Sequence, residues 1–513
     1  MNRRQRWGTA KVVFSKTIRA MLATITMLGT PALMLSQGAG APLTLQGLDQ
    51  STLGDVRGRG MGGAVLASTQ SANAVFTNPA LLTRIDRLEV RMAGTGVATI
   101  QRQSQEWTPN RLYAGFSILM EDKWEGIKDP LVRQILTNPI TSLPETTWVP
   151  PASPYERLQK PYDDLGPNWS RTFTKGAPLT FAAAMPFELM EMTFVAGIGA
   201  GEAYDLTHYF QNNNVLDPMI GSFRPSPIPM VATGDTAYVQ WYQHTRKRLG
   251  SVSTMNPALA LKHGSLSVGV TATILFGSSD DYEFRLDRGV LNFINNAFKV
   301  DPVRYAVTHL GTSNYSGASA TLGLLWENPR YALGLTAALP LTITRSFERT
   351  VTIDTSLAVT SRKESGEESL KLPLRVGGGV ILTPTDRWTV SFDYVMTGFA
   401  RSEQTRADGT TTSSWVGSAN YRMGVEYLAW DLLSIRAGYR QDTQPFAMVG
   451  SAILDEPVRS SVTTFGLGTQ LLGFLVDAAY EYTALKYQDM WQSNVNYNLT
   501  EHHRFLVEVG YRF

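Results

Sequence analysis

Six histidines, His208, His244, His263, His309, His502 and His503, are scattered along the chain. None falls in a His-Glu-x-x-His metal motif, and no Gly-x-Ser-x-Gly elbow presents a nucleophile. Cysteine is absent, which removes thiol catalysis, disulfides and Cys-ligated zinc. His208 and His244 lie in a stretch that also holds Asp205 and Asp217, but histidines of long connections are more often solvated than catalytic. Gly58-x-Gly60-x-x-Gly63 matches a dinucleotide fingerprint in letters only, since no strand precedes it and no βαβ unit follows. The reading is therefore of a chain with no catalytic residue, no metal site and no cofactor.

The remaining chemistry lies in charge. Arg375, Arg422, Arg436, Arg440 and Arg504, with Asp393, Glu426, Asp477, Glu481 and Glu508, sit at alternate positions of segments whose other positions are apolar. Such groups are expected to form an internal ion-pair lattice. An arginine left partly unpaired would bind a carboxylate through two parallel hydrogen bonds, and Arg375, Arg422, Arg436 and Arg440 are the candidates. Arg246-Lys247-Arg248 reads as a solvated cluster or a contact to anionic lipid.

The elements that hold these residues are strands. From Phe505 to Phe513 the odd positions read Phe, Val, Val, Tyr, Phe, and the even ones from Arg504 include Arg504, Glu508 and Arg512. Strand side chains alternate faces, so one face is apolar and the other charged. A soluble core rarely accepts those charges; the wet lumen of an outer-membrane barrel does. Fourteen alternating segments follow, over about 87–103, 177–187, 192–206, 249–263, 265–286, 315–327, 330–350, 368–383, 387–401, 414–429, 432–442, 460–471, 474–487 and 502–513. Long connections (104–176, 207–248 and 287–314 above all) alternate with tight ones such as Gly264, Asn328-Pro329 and Leu472-Gly473, the asymmetry of outer loops and periplasmic turns. The expectation is an all-β transmembrane antiparallel barrel over 88–513.

Residues 1–41 read as an export signal: a basic start, an apolar run Ala20 to Leu35 and an Ala39-Gly40-Ala41 cleavage site. Residues 42–87 lack strand character and read as a plug. Formal net charge is +2 with no long basic block, so nucleic acid has no electrostatic footprint. Two outer connections carry apolar residues that water disfavours: Leu216, Met219, Ile220 and Phe223 in one, and Leu291, Phe293, Ile294 and Phe298, spaced as a helical face, in the other. They are expected to pack as a lid and to line an outer groove for an apolar ligand. Gly197, Gly199 and Gly201 strip side chains from one face of the third strand, which invites a kink and a lateral opening. Within 104–176, a strand over Leu112–Leu119 and a helix near Ile127–Leu136 are expected.

Gly58-Arg59-Gly60-Met61-Gly62-Gly63-Ala64, then Asn73-Ala74-Val75-Phe76-Thr77-Asn78-Pro79-Ala80-Leu81, resembles the N-terminal hatch of the FadL/TodX (OMPP1) family of outer-membrane transporters. Leu372-Pro373-Leu374-Arg375-Val376-Gly377, Pro384 to Tyr394, Tyr421 to Tyr427 and Ile435 to Tyr439 follow in family order. The resemblance implies a Gram-negative outer-membrane location, a fourteen-stranded barrel and a hatch gated through Gly58, Gly60, Gly62, Gly63, Asn78, Pro79 and Ala80. It implies passive passage of long-chain fatty acids or hydrocarbons, with exit sideways through a kinked third strand. The partners implied are a hydrophobic small molecule, outer-membrane lipid and the barrel assembly machinery acting on the C-terminal strand, with the chain a monomer. The alternative is a non-transporting barrel that serves as scaffold for a partner protein held through 104–176. A water-filled porin is disfavoured by the plug.

Overall fold

The computed structural model describes residues 53–107, 131–137, 144–149, 168–189, 192–220, 237–294, 297–355, 357–413, 415–447, 457–491 and 494–513. The signal segment, residues 42–52, Leu112–Leu119 and Phe223 lie outside them. Fourteen antiparallel strands form the wall. They are β1 (Glu89–Trp107), β2 (Trp169–Leu189), β3 (Met192–Asp205, continued by His208–Ile220), β4 (Ala237–His263), β5 (Leu266–Ile294) and β6 (Ala297–Asn328). Next come β7 (Tyr331–Ala338, continued by Leu341–Thr355), β8 (Val359–Leu372, continued by Arg375–Thr385), β9 (Trp388–Thr397) and β10 (Ser418–Trp430). The last four are β11 (Leu433–Ala447), β12 (Pro457–Leu471), β13 (Phe474–Trp491) and β14 (Asn494–Arg512). The sheet closes by β14 pairing with β1, from Glu89↔Arg512 to Trp107↔Asn494.

Alternation sorts the residues as the pattern requires. Met92, Ile198, Leu259, Val270, Phe392 and Val507 face outward, whereas Ala182, Val195, Ala260, Leu325 and Ile381 are buried inside. Aromatic pairs Trp326–Tyr331, Trp388–Tyr427 and Phe474–Tyr511 lie beside the tight turns, forming an interfacial girdle there. The two-residue turn at Leu472-Gly473 has both residues at positive φ (52° and 86°), the geometry that matches strand twist in a hairpin.

The outer connections are not loops throughout. Residues 169–176, 208–220, 237–248, 287–294 and 297–314 are strand, so the hairpins β4–β5 and β5–β6 rise far beyond the apolar belt. Away from lipid such strands need no apolar outer face, and their inner face buries polar residues such as His244 and Arg248, so the sequence pattern fades although the ladder continues. The helical spacing over 287–314 likewise gives way to the β5–β6 hairpin, with Phe293↔Phe298 at its tip. Residues Leu131–Thr137, read as helix, form a strand that pairs with Pro144–Val149 and joins β6 at Lys299 and Val300. Cross-strand pairing overrides helical spacing in both places.

Candidate functional site

Residues 53–87 lie against the inner face of the wall. Asp55 caps a short helix, α1 (Val56–Gly60), by accepting the Gly58 N–H at 3.0 Å. Gly62 and Gly63 follow at φ of 70° and 79°, where other residues are strained. The facing wall is also glycine: a Cβ on Gly438 would sit 2.1 Å from Gly62 N, one on Gly424 2.3 Å from Met61 O, and one on Gly334 2.0 Å from Leu66 O. Glycine on both sides lets two backbones meet directly.

The hatch signature has a local cause. Asn78 is fully buried, accepts the Ala80 N–H at 3.1 Å and caps the turn Pro79–Arg84. Its amide donates to Leu66 O at 2.8 Å and to Leu324 O on β6 at 3.2 Å. Asn-Pro-Ala is thus a cap, a turn start and a small residue packed against the wall, where a Cβ on Gly269 would meet Ala80 N at 2.6 Å.

Polar groups fix the segment to the wall. Asp393 Oδ2 accepts the Val65 and Leu66 N–H groups at 2.6 and 2.9 Å. Thr464 Oγ1 accepts from Gly62 N–H at 2.9 Å and donates to Gly60 O at 3.0 Å. Arg57 donates to both oxygens of Glu426 at 3.0 and 2.8 Å, Arg84 to Glu327 at 3.0 Å, and Asn73 to Glu508 at 2.7 Å. These anchors escaped the sequence reading because nothing in the letters pairs residue 57 with residue 426.

The four lumen arginines divide into two kinds. Arg436 is held by Glu426 and Asp477 at 2.5 and 2.6 Å, and Arg440 by Asp442 and Glu481, both at 2.7 Å. Arg422 makes one long bond, 3.4 Å to Gly63 O, and its Nε has no partner. Arg375, on the inner face of β8, is exposed with no acceptor among the described residues.

The wall has a seam. β2 pairs with β3 only from Phe181↔Ala200 to Leu189↔Met192. Above that, β2 stays on β1 as far as Gln103↔Trp169, and β3 stays on β4 through Gly201↔Thr254 and His208↔Arg248. Gly197 and Gly199 face Val75, Leu82 and Phe76 of the lumen segment; Gly201 stands where the seam begins, and the register of β3 shifts between Glu202 and Tyr204. Side chains bridge the gap. Lys175 reaches Glu202 at 3.1 Å and Asp205 at 2.9 Å; Trp169 meets the Tyr209 ring edge-on at 5.3 Å, and Arg171 lies 3.8 Å over it.

Above the belt, β3–β6 form one sheet. Its register pairs Leu216 with Trp241, Met219 with Tyr238, Ile220 with Ala237, Leu291 with Val239 and Val300, Phe293 with Phe298, and Ile294 with Ala297 at the hairpin end. Of the residues expected to line an outer groove, Leu216, Met219, Ile220, Leu291, Phe293, Ile294 and Phe298 therefore lie on strands of one sheet. His244, one of the two histidines considered for chemistry, bonds Glu283 at 3.0 Å rather than an aspartate.

Comparison with known proteins fits this architecture. The fold is similar to a Pseudomonas aeruginosa FadL homologue (TM-score 0.55, 11% identity, covering 90% of this chain and 98% of that one). It is similar to a TodX deltaS2S3 mutant, a monoaromatic hydrocarbon channel (TM-score 0.51, 12% identity, 90% and 99%). A TodX deltaS2 mutant gives a TM-score of 0.51 at 12% identity, over 89% and 98%. No curated protein sequence matches. Residues 319–509 match the model of the family described as outer membrane protein transport protein (OMPP1/FadL/TodX), and the solved structures share the fold of the whole barrel.

Proposed function

We propose that this barrel admits long-chain fatty acids or hydrocarbons passively, taking them from the apolar outer sheet into the lumen and releasing them sideways between β2 and β3 as the lumen segment shifts. The observation that carries the reading is the seam, where about half of β2 leaves the ladder with β3 and side chains such as Lys175 cross to it. A lumen obstructed by residues 53–87 argues against a free aqueous path, and lipid beside an unpaired wall accepts an apolar solute at no dehydration cost. Arg375 and Arg422 are the lumen arginines able to receive a carboxylate, because Arg436 and Arg440 are already neutralised by two acids each. The monoaromatic solute of the TodX mutant channel marks the small end of the size range.

The absence of cysteine permits a clean test. Lys175→Cys with Asp205→Cys, joined by a reducible cross-linker, closes the seam. Uptake of labelled oleate by cells expressing the joined barrel is expected to fall at least tenfold and to return on reduction. Full uptake with the cross-link intact would refute lateral release.

A further inference from the structure

Three bases share one patch on the outside of the wall, above the apolar belt. Arg102 on β1 and Lys486 on β13 both pair with Leu499 of β14. Arg459 on β12 stands one residue beyond the pair Ser460↔Leu485, and so beside Lys486. All three are exposed. The ladders joining β12, β13, β14 and β1 carry no register shift, so period two holds along each strand. It puts Arg102 in phase with Met92, Lys486 with Phe474 and Arg459 with Phe465, all of which face outward. With adjacent strands about 4.8 Å apart, the three Cα atoms lie within about 15 Å of one another.

Among the described residues, none of the three has an ion-pair partner. The acid of the next outward row, Glu501, accepts the Tyr482 O–H at 2.6 Å. Like charges opposite each other on neighbouring strands are destabilising, and Arg459 beside Lys486 is such a pair. Elsewhere on the barrel, exposed bases such as Lys371 and Lys262 meet Glu403 and Glu327 at 3.4 and 3.0 Å. Below the patch comes an aromatic border, with Tyr482 against His503 at 5.2 Å and Tyr480 against Phe505 at 4.9 Å. Aromatic rings of this kind mark the membrane interface. Lys486 stands four residues past Tyr482, about 13 Å along the strand and about 10 Å in height at a barrel tilt of about 40°. Long basic side chains reach back from there into the head-group layer, while Phe505, Val507 and Leu467 present apolar surface beneath.

We propose that Arg102, Lys486 and Arg459 form a docking surface for an outer-leaflet glycolipid that carries two or more phosphates. Charge complementarity selects this occupant. A single anionic head group neutralises one base, whereas spaced phosphates match bases spread over about 15 Å. Acyl chains below the phosphates match the apolar belt below the bases. The surface is on the outside of the wall, so it is independent of what passes through the lumen. One lipid held across β12, β13, β14 and β1 clamps the strands on both sides of the β14–β1 closure.

The test uses the full chain purified in detergent. Binding of bisphosphorylated lipid A and of its dephosphorylated form is measured for the wild type and for Arg102→Gln, Lys486→Gln and Arg459→Gln, singly and together. Lys371→Gln, which removes a base already paired, is the control. A base at an anionic lipid surface contributes about fivefold in affinity, so each single variant should lose about fivefold and the triple variant about 100-fold, for the phosphorylated lipid alone. Lys371→Gln should bind as the wild type does. The dephosphorylated lipid should bind the wild type more weakly and all variants equally, which also reports that they are folded. In the wild type, raising salt from about 0.1 to about 1 M should weaken binding of the phosphorylated lipid about tenfold or more, a readout that needs no variant. Equal affinity for the two lipids, undiminished binding by the triple variant or binding insensitive to salt overturns the proposal. Inorganic pyrophosphate that displaces the lipid with an affinity equal to the lipid's own would assign the bases to free phosphate and overturn it too. None of these outcomes touches the uptake reading, because no cargo is measured.

Discussion

Gly438→Ala should loosen the lumen segment without opening the barrel. The added Cβ would stand 2.1 Å from Gly62 N and 2.3 Å from Met61 C, both backbone atoms. Ordinary carbon contacts lie near 3.5–4.0 Å, so the segment must retreat by more than about 1 Å. Local relief is blocked: Gly62 is bonded to Thr464, its φ is 70°, and Gly424 presses on Met61 from the next strand. Overpacking of this kind costs roughly 1–3 kcal/mol, and it falls on docking of the segment because the wall keeps its ladder to β10 and β12. Hydrogen exchange over residues 58–69 should quicken about 5- to 150-fold, while strand amides and heat-modifiable migration stay as in the wild type. Gly96→Ala, where a Cβ meets nothing within 4 Å, serves as the control. Unchanged exchange in Gly438→Ala would refute the idea that paired glycines set the fit.

Two further outcomes follow from single residues. Arg57→Ala leaves Glu426 compensated by Arg436, so the loss should fall below the about 3–5 kcal/mol of a buried charge left alone; it should still speed exchange near α1 more than Arg330→Ala, whose exposed pair with Asp386 is worth ~0–1 kcal/mol. Leu472→Asn should raise resistance to denaturant by about 1 kcal/mol, since Leu472 holds φ 52° on an exposed turn; a lowered midpoint would show that its side chain contributes packing instead.

The barrel was legible because lipid enforces alternation. Phe474, Val476, Ala478, Tyr480 and Tyr482 opposite Asp477 and Glu481 state a strand and its two environments in nine letters. Two-residue turns were legible too, since Leu472-Gly473 and Gly264 leave no room for another connection. Legibility ends where lipid ends. Residues 279–287 pair on both sides, but their inward face is a buried polar network, Asp281 on Arg248 and Glu283 on His244, so Ser-Asp-Asp-Tyr-Glu-Phe-Arg-Leu-Asp carries no apolar period. The candidate site is less readable still. Arg246 and Arg248 are the same letter two residues apart, on the same face; one is saturated by Asp281 and the other has no acceptor, a difference set by the register of β5. Asp393 reads as one more lumen charge, but it grips two backbone N–H groups whose position depends on the path of a segment more than three hundred residues earlier.

The attachments of that segment are distributed unevenly, and the distribution bears on how it would move. Its ion pairs and charged hydrogen bonds go to Asp393, Glu426, Glu481 and Glu508 on β9, β10, β13 and β14, with Glu89 on β1 and Glu327 on β6. Toward β3 the contacts are apolar: Val75, Phe76 and Leu82 against Gly197 and Gly199, just below the seam. Apolar contacts are non-directional and can be exchanged for those of an apolar solute at little net cost, whereas a buried charge cannot leave its partner so easily. Under the proposed lateral route, a solute approaching the seam would displace Val75 and Phe76 first and leave Ala72 and Asn73, bonded to Glu89 and Glu508, and α1 pinned to the wall. If release is lateral, as proposed, movement of Val75 and Phe76 alone would open the path toward β2 and β3 while the charged anchors hold the rest of the segment in place.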